Sequence, residues 1–397
     1  MNIATAVFWG GAAVILYTYV GYPVAVWLAA RVRPRPVRRG DATPSVSLVI
    51  VAYNEAACIA RKLENCVALD YAAEQLEIVV ASDGSTDATV EIARRWAPRA
   101  AVIAFAERRG KPCVLNDVVP GCRGDIVVLS DARQTYDAGA IRALVANFAD
   151  PAVGAVSGEL HLENDEGRAV GEGVGLYWRY EKAIRRWESA VDSTVGTTGA
   201  IYAIRRALFA PIPGDTLLDD VLIPLRITAD GHRVVFERHA RAFDRVAATP
   251  RQEFTRKVRT IAGNLQLVAR ERWTWDPRRN RLWLQLISHK LLRIAVPFVL
   301  MAVLAASATL ATRPFYAVAL AAQLLFYAAA LAGHLTEGRS VARWFAAPYG
   351  FCVLNAAAVV SVLRFLNGTQ AVTWRKALED RELPPASAAH PNVETSR

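Results

Sequence analysis

Three short runs rich in valine and isoleucine, at 46–52, 76–81 and 126–129, each end in a polar cluster containing an acid, and helix-like segments lie between them. The runs read VSLVIVA, LEIVVA and IVVL; their polar ends read YNE, SDGSTD and SDAR. This is the pattern of parallel strands that deliver carboxylates to one edge of an α/β sheet, the edge where such sheets meet their ligands. Asp83 and Asp131 are therefore expected to face one crevice, although 48 positions separate them.

The ends of the chain differ from its middle. Of 397 residues 53% are apolar, above the roughly 45–50% of soluble domains, and the excess gathers at the two termini. Residues 4–30 form a nearly uncharged run long enough, at about 1.5 Å per residue, to cross a bilayer core of about 30 Å. A cleaved signal peptide is the competing reading, but no basic segment precedes the run and its apolar part is too long. Arg31, Arg33, Arg35, Arg38 and Arg39 follow, a cluster of the kind retained on the cytoplasmic side, so a middle domain over 46–270 is expected to be cytoplasmic and the protein to sit in the cell membrane. Pro34, Pro36 and Gly40 make 31–45 an extended linker. Farther on, Trp273, Trp275 and Trp283 alternate with Arg270, Arg272, Arg278, Arg279 and Arg281, which predicts an interfacial segment over 271–290. Three spans are expected within 291–366, at 291–312, 314–333 and 344–366, making four crossings with residues 1–30. Strict alternation puts the tail 367–397 outside, whereas Arg364, Arg375 and Lys376 argue for the inside; the tail is polar and expected to be partly disordered. Asn367-Gly368-Thr369 matches a glycosylation sequon, a motif short enough to occur by chance.

Much of the net charge of +10 is arginine beside the apolar ends, which points to membrane lipids as partner and away from nucleic acid. The five cysteines form no C-x-x-C pair and have no histidine at zinc-ligand spacing; four lie in the middle region, which is expected to be reduced and intracellular. The histidines are scattered, and neither a Ser-His-Asp nor a Cys-His ordering appears.

Several residues admit two readings from spacing alone. Tyr53-Asn54-Glu55, following Ala52 at the first strand end, can hold a base and ribose, or Asn54 can simply cap the next helix; on spacing alone capping is preferred. Gly84 permits a tight turn, and Asp87 with Ser85 can cap the helix through Arg95, which leaves Asp83 to accept hydrogen bonds from a uracil ring or sugar hydroxyl. Lys111, in an exposed basic turn without P-loop spacing, either neutralises a diphosphate or is solvated surface. Asp131 either holds Mg²⁺ or Mn²⁺ beside a diphosphate or caps its own turn. On a helix over 169–189, Tyr177 and Tyr180 share a face, for which core packing is preferred to sugar stacking. Asp219 and Asp220 open a helix that runs to about Ala229, where the macrodipole alone would favour acids.

Taken in order, A-Y-N-E, S-D-G-S-T-D, G-K-x-x-x-L-N and S-D-A resemble the family-2 inverting glycosyltransferases of the GT-A fold, over about residues 46–266; the flanking apolar segments are similar to those of its membrane-bound members, which include cellulose, chitin and hyaluronan synthases. The resemblance implies a Rossmann-like, mixed and mainly parallel sheet with helices on both faces, plus transmembrane helices. It implies a nucleotide-sugar donor, with a UDP-sugar expected, bound by Ala52, Tyr53, Asn54, Glu55, Asp83, Lys111 and Asp131. It also implies a divalent metal, Mg²⁺ or Mn²⁺, at Asp131, although the third place of the family's D-x-D is Arg133 here, which removes one ligand and leaves more of the coordination to phosphate. The loop Gly196, Thr197, Thr198 and Gly199 matches one that lines the acceptor pocket. An inverting transfer needs a carboxylate within about 3 Å of the attacking hydroxyl; the family places this base at the second acid of a pair, here Asp220, with Asp219 in support. Where processive members carry Q-x-x-R-W, this chain has Arg256, Arg259 and Thr260; Arg256 and Arg259 are assigned to the donor, and the missing tryptophan favours a single transfer or a short product. The expected function is glycosyl transfer to a lipid-linked or growing glycan acceptor at the membrane, with a processive synthase or a non-catalytic membrane scaffold as alternatives.

Overall fold

The computed structural model describes residues 2–163, 169–245, 250–336 and 344–368. The tail with Arg375 and Lys376, the sequon's Thr369 and the side chain of Tyr177 lie outside what is described. Eight strands form one sheet: β1 (Val46–Ala52), β2 (Leu76–Asp83), β3 (Ala101–Phe105), β4 (Ile126–Asp131), β5 (Thr135–Tyr136), β6 (Val153–Glu163), β7 (Tyr202–Arg205) and β8 (Arg233–Arg245). The helices that matter for the site are α1 (Ile3–Val32), α2 (Ile59–Val67), α3 (Thr89–Arg94), α4 (Lys111–Val118), α5 (Ala140–Val145), α6 (Ala169–Val191), α7 (Asp219–Ala229), α8 (Pro250–Arg270), α9 (Trp283–Thr309), α10 (Pro314–Leu335) and α11 (Ala346–Leu366).

Sheet order is β3-β2-β1-β4-β7-β6-β8-β5. The first four strands are mutually parallel; β7 runs antiparallel to both β4 and β6, and β6 is parallel to β8. The fold thus has the parallel core that the apolar runs imply, within the mixed, mainly parallel sheet that the family resemblance implies. Parallel strands covered on both faces must be apolar on both faces, and β1 is. Leu48 and Ile50 pack with Ile59 and Leu63 of α2 and Leu144 of α5, whereas Val49 joins Leu115 of α4 and Leu225 of α7 on the other side. The chain steps outward from β1 to β2 and β3, then returns to place β4 on the opposite flank of β1. Such a reversal opens a crevice at the carboxyl ends of the two flanking strands. Val51 of β1 is in register with Asp131 of β4, which puts YNE and SDA side by side at that crevice.

Four helices, α1, α9, α10 and α11, are long and apolar enough to cross a membrane. Each of α1 and α9 contains one wide turn, Tyr17–Gly21 and Leu286–Leu291, and the two turns touch through the hydroxyls of Tyr17 and Ser288, 2.8 Å apart. The stretch expected at headgroup level divides: Arg272–Trp275 is a short 3₁₀ turn, and Trp283 already begins α9. Beyond Val32 the chain is extended, as the prolines require, and is pinned to the sheet domain. Arg35 donates its amide to the Ala190 carbonyl (2.7 Å) and pairs with Asp192 (2.7 Å), and Arg39 pairs with Glu237 (2.9 Å). The described cysteines are all free thiols.

Candidate active site

At the end of β1 the backbone of Asn54 takes φ +53°, a left-handed conformation that asparagine tolerates better than most residues. Its side chain does not cap α2, which begins only at Ile59. Instead Oδ1 accepts the Thr86 amide (2.8 Å), while the Asn54 amide donates to Ser85 Oγ (3.0 Å). Ser85 is thereby drawn away from the helix cap anticipated for it, whereas Asp87 does accept the amide of Thr89, the first residue of α3 (3.0 Å). Gly84 has φ +66°, and a Cβ there would lie 2.4 Å from the Arg108 amide nitrogen, so the SDG turn closes against 107–108 only because it carries glycine. Above this junction the Arg108 guanidinium stacks on the Tyr53 ring at 3.7 Å.

Asp83 sits at the same sheet edge but does not open into the crevice. It is 3% exposed, and its two oxygens accept the amides of Arg109 (2.7 Å) and Gly110 (2.8 Å). Its carboxylate fixes the loop that ends at Lys111, the first residue of α4.

Lys111 leads to the chemistry. Its Nζ lies 2.9 Å from Asp131 Oδ1 and 3.4 Å from Asp219 Oδ2. Burial opposes its charge, yet Asp131 and Asp219 hold its pKa well above the ordinary lysine value. Asp219 also accepts the Tyr202 hydroxyl (3.2 Å); burial, with Asp219 beside it, keeps that phenol protonated. Asp220 is locked from the 196–199 loop: its carbonyl accepts the Thr197 amide (2.7 Å) and hydroxyl (2.9 Å), and its Oδ2 accepts the Gly199 amide (3.0 Å). Gly196 permits this loop with φ +83°, where a Cβ would meet Val221 at 3.0 Å and the Asp220 carbonyl at 3.2 Å. Gly199 lies between two carboxylates, for a Cβ there would be 3.5 Å from Asp220 Oδ2 and 3.8 Å from Asp131 Oδ2. Burial, then the neighbouring Asp219, push the Asp220 carboxyl up to about 6, against the opposing pull of Lys111.

Three carboxyls thus surround the Lys111 ammonium, and further positive charge would favour the entry of a diphosphate. A hard divalent cation suits the donor set. Asp131 has one oxygen on Lys111 and the other toward the crevice, and such ions take the rest of their shell from phosphate and water. Among the described residues no group of three or more His, Cys, Asp or Glu side chains forms a protein-only metal cage. Arg133 is turned elsewhere, with Nε and Nη2 on the two oxygens of Asp244 at 2.9 and 2.6 Å.

Two supports of the site are silent in the motifs. Lys62 of α2 is 1% exposed, donates to the Gln134 carbonyl (2.9 Å) and lies 3.7 Å from the centre of the Tyr136 ring; burial lowers its pKa. Tyr136 in turn donates to the Ala200 carbonyl (2.8 Å), so α2 braces both the chain after Asp131 and the loop beside Asp220. A lysine inside the otherwise apolar Ile59, Leu63, Cys66 stripe was the available signal. The second support is α8. A Cβ on Gly263 would lie 2.5 Å from Leu218 Cγ, and Gln266 accepts the Leu217 amide (2.9 Å), so α8 seats the two residues just before Asp219. Arg259 and Arg256 lie one and two turns before Gly263 on this helix, whose Lys257 reaches the Trp178 ring at 4.8 Å.

The family described as Glycosyl transferase family 2 matches residues 47–210. The chain carries a family 2 glycosyltransferase domain. Asp219 and Asp220 lie just past the matched segment. The poly-beta-1,6-N-acetyl-D-glucosamine synthase of Staphylococcus aureus is 24% identical over 237 residues, covering 58% of this chain and 57% of that protein. A probable glycosyltransferase of Bacillus subtilis, YdaM, is 26% identical over 240 residues, 57% of this chain and 56% of its own. The likeness therefore spans little more than half the length of these curated relatives. Among solved structures, the mannosyltransferase PcManGT from Pyrobaculum calidifontis, in complex with GDP-Man and Mn²⁺, aligns with a TM-score of 0.70 at 24% identity, over 93% of this chain and 100% of that one. The domain of this chain has the GT-A fold, with four helices long and apolar enough to cross a membrane beside it among the described residues.

Proposed function

We propose that the protein moves a glycosyl group from a nucleoside-diphosphate sugar to a hydroxyl of a glycan or lipid-linked acceptor at the cytoplasmic face of the membrane, with inversion at the anomeric carbon. The observation that carries this reading is the gathering of Lys111, Asp131, Asp219 and Asp220 at the crevice beside β1 and β4. Asp220 is the base. Its carboxylate takes the proton of the acceptor hydroxyl as that oxygen bonds to the anomeric carbon, and the bond from that carbon to the diphosphate breaks with its electron pair leaving on phosphate. A base with pKa near 6 is mostly ionised at neutral pH and still a competent proton acceptor. Asp219, held by Lys111 and Tyr202, keeps the start of α7 in place. Lys111 supplies positive charge to the departing diphosphate. Mg²⁺ or Mn²⁺, bound by Asp131 and the diphosphate, would neutralise the rest of that charge. Tyr53, Asn54 and Glu55 frame the base and ribose side, with Arg256 and Arg259 approaching from α8; Gly196 to Gly199 line the acceptor side. Asp83 acts on the donor through the loop that it holds.

Kinship with a poly-N-acetylglucosamine synthase supports UDP-N-acetylglucosamine as the first donor to try, and the fold shared with a GDP-mannose-binding transferase supports GDP-mannose as the second. Thr260 in place of an aromatic platform favours single sugars or short chains over a long polymer. The test is to incubate the full-length protein in lipid with UDP-sugars and GDP-mannose, each with Mg²⁺ or Mn²⁺, and to follow nucleoside diphosphate, product mass and anomeric configuration. Short inverted products are expected. A product that keeps the donor's configuration contradicts the mechanism, long products assign the processive alternative, and no diphosphate release with any donor leaves the scaffold reading.

A further inference from the structure

Helix α6 carries Glu181, Arg185 and Glu188 at spacings of four and three, on one face. The outer two belong to a buried ionic joint with the spanning helices. His289 of α9, 1% exposed, has Nε2 2.9 Å from Glu181 and Nδ1 2.8 Å from Glu188. Arg293 (2.7 Å) and Lys290 (3.3 Å) also reach Glu181, and Tyr22 of α1 donates to Glu188 (2.5 Å). The Tyr180 hydroxyl adds a bond to the Tyr19 carbonyl in the wide turn of α1 (2.8 Å). A helix tied this way has little freedom to slide or turn. Between the two glutamates, Arg185 reaches the catalytic side, and its Nη2 donates to the Thr197 carbonyl at 2.6 Å. Thr197 is the residue whose amide and hydroxyl hold the Asp220 backbone.

We propose that Arg185 is a positioning residue of the transfer step: from a helix anchored to the membrane spans, it holds the 196–199 loop against Asp220 and so aims the base at the acceptor hydroxyl. The inference rests on the reading of Asp220 as base. One hydrogen bond from the guanidinium to the Thr197 carbonyl, then two side by side from Thr197 to the Asp220 carbonyl, make the connection. The other charges around Asp220 are Asp219, Lys111 and Asp131; Arg185 is a second cation, and its charge favours the ionised carboxylate. An arginine suits the place because its guanidinium is rigid and permanently charged.

The experiment compares the full-length wild type, Arg185→Met and Arg185→Lys in lipid, measuring transfer turnover, affinity for UDP and for GDP with Mn²⁺, and thermal midpoint. Displacing a base by a fraction of an ångström to one ångström costs up to about 10²-fold, so Arg185→Met is expected to lose about 10- to 100-fold in kcat while nucleotide affinity stays within about twofold. Arg185→Lys keeps the charge and one donor and is expected to recover part of the loss. Thr197→Val, which removes one of the bonds to Asp220, is expected to lower kcat with the same split and serves if Arg185→Met does not fold. Turnover within about twofold of wild type in Arg185→Met, or a loss matched by equal loss of nucleotide affinity, overturns the inference. A wild type that binds neither nucleotide and releases none overturns the glycosyltransferase reading itself.

Discussion

Asp220 is buried among charges, and its raised pKa has two consequences of opposite sign. As a base it must be ionised, so turnover is expected to fall as pH drops through about 6 and to level off above it; a pH profile of kcat checks this. For stability, a carboxyl raised from about 3.9 to about 6 favours the folded state when protonated, so the contribution is complete below about pH 4 and lost as pH rises through 6. The cost of the ionised form is on the order of 3 kcal/mol. Asp220→Asn is therefore expected to raise the thermal midpoint at pH 8 and to leave it unchanged at pH 4, as a melting series would register. At this scale the sequence was partly legible. Lys111, Asp131 and the Asp219-Asp220 pair could be named because each stands in a short motif at a strand or helix end. Asn54 was expected to cap the next helix and Asp83 to face the crevice, and neither does, since a polar residue at a strand end can turn instead to a neighbouring loop. The choice was made by a left-handed backbone at Asn54 and by a loop, 107–110, that arrives from far along the chain. Lys62 and Arg185 stand in no motif; their partners, Gln134 and Thr197, are brought to them only by the fold.

Among the elements, α8 and the start of α7 form a tight junction of the site. Gly263→Ala would drive a Cβ to 2.5 Å from Leu218 Cγ, and the 217–218 segment can yield only by moving Asp219 and Asp220. A stability loss of about 1–3 kcal/mol and a drop in kcat are expected, the first by thermal melting and the second by diphosphate release. Gly139→Ala, where nothing lies within 4 Å of the new methyl, is the neutral control. The buried strands β1, β2 and β4 were readable because strands covered on both faces must be continuously apolar. The edge strand β3 reads AVIAF, an equally apolar run that the three-run pattern left out; at the sheet edge its residues are half-buried or exposed. The beginning of α9 at Trp283 was obscured because its first turns are amphipathic, with His289 and Lys290 engaged to glutamates of α6 rather than facing water.

For the molecule as a whole, the crevice lies on a sheet domain stitched to the spans by α6, the 31–45 linker and α8, whose Val258 carbonyl accepts Ser361 of α11 (3.0 Å). On the proposed reading, the excess of carboxyls around Lys111 is expected to make nucleotide binding depend on a divalent cation. Removing it with EDTA is expected to weaken UDP or GDP affinity by at least about tenfold, with recovery on adding Mn²⁺; calorimetry reads this without any turnover. The central claim is that one buried carboxylate, Asp220, performs the proton transfer in a site that Lys111 and Asp131 build for the donor. The most direct measurement is to compare Asp220→Asn with wild type in lipid for diphosphate release and for nucleotide affinity in the presence of Mn²⁺. A fall in turnover of about 10²- to 10⁴-fold with affinity within a few-fold of wild type is the predicted result; near-normal turnover in Asp220→Asn would contradict it.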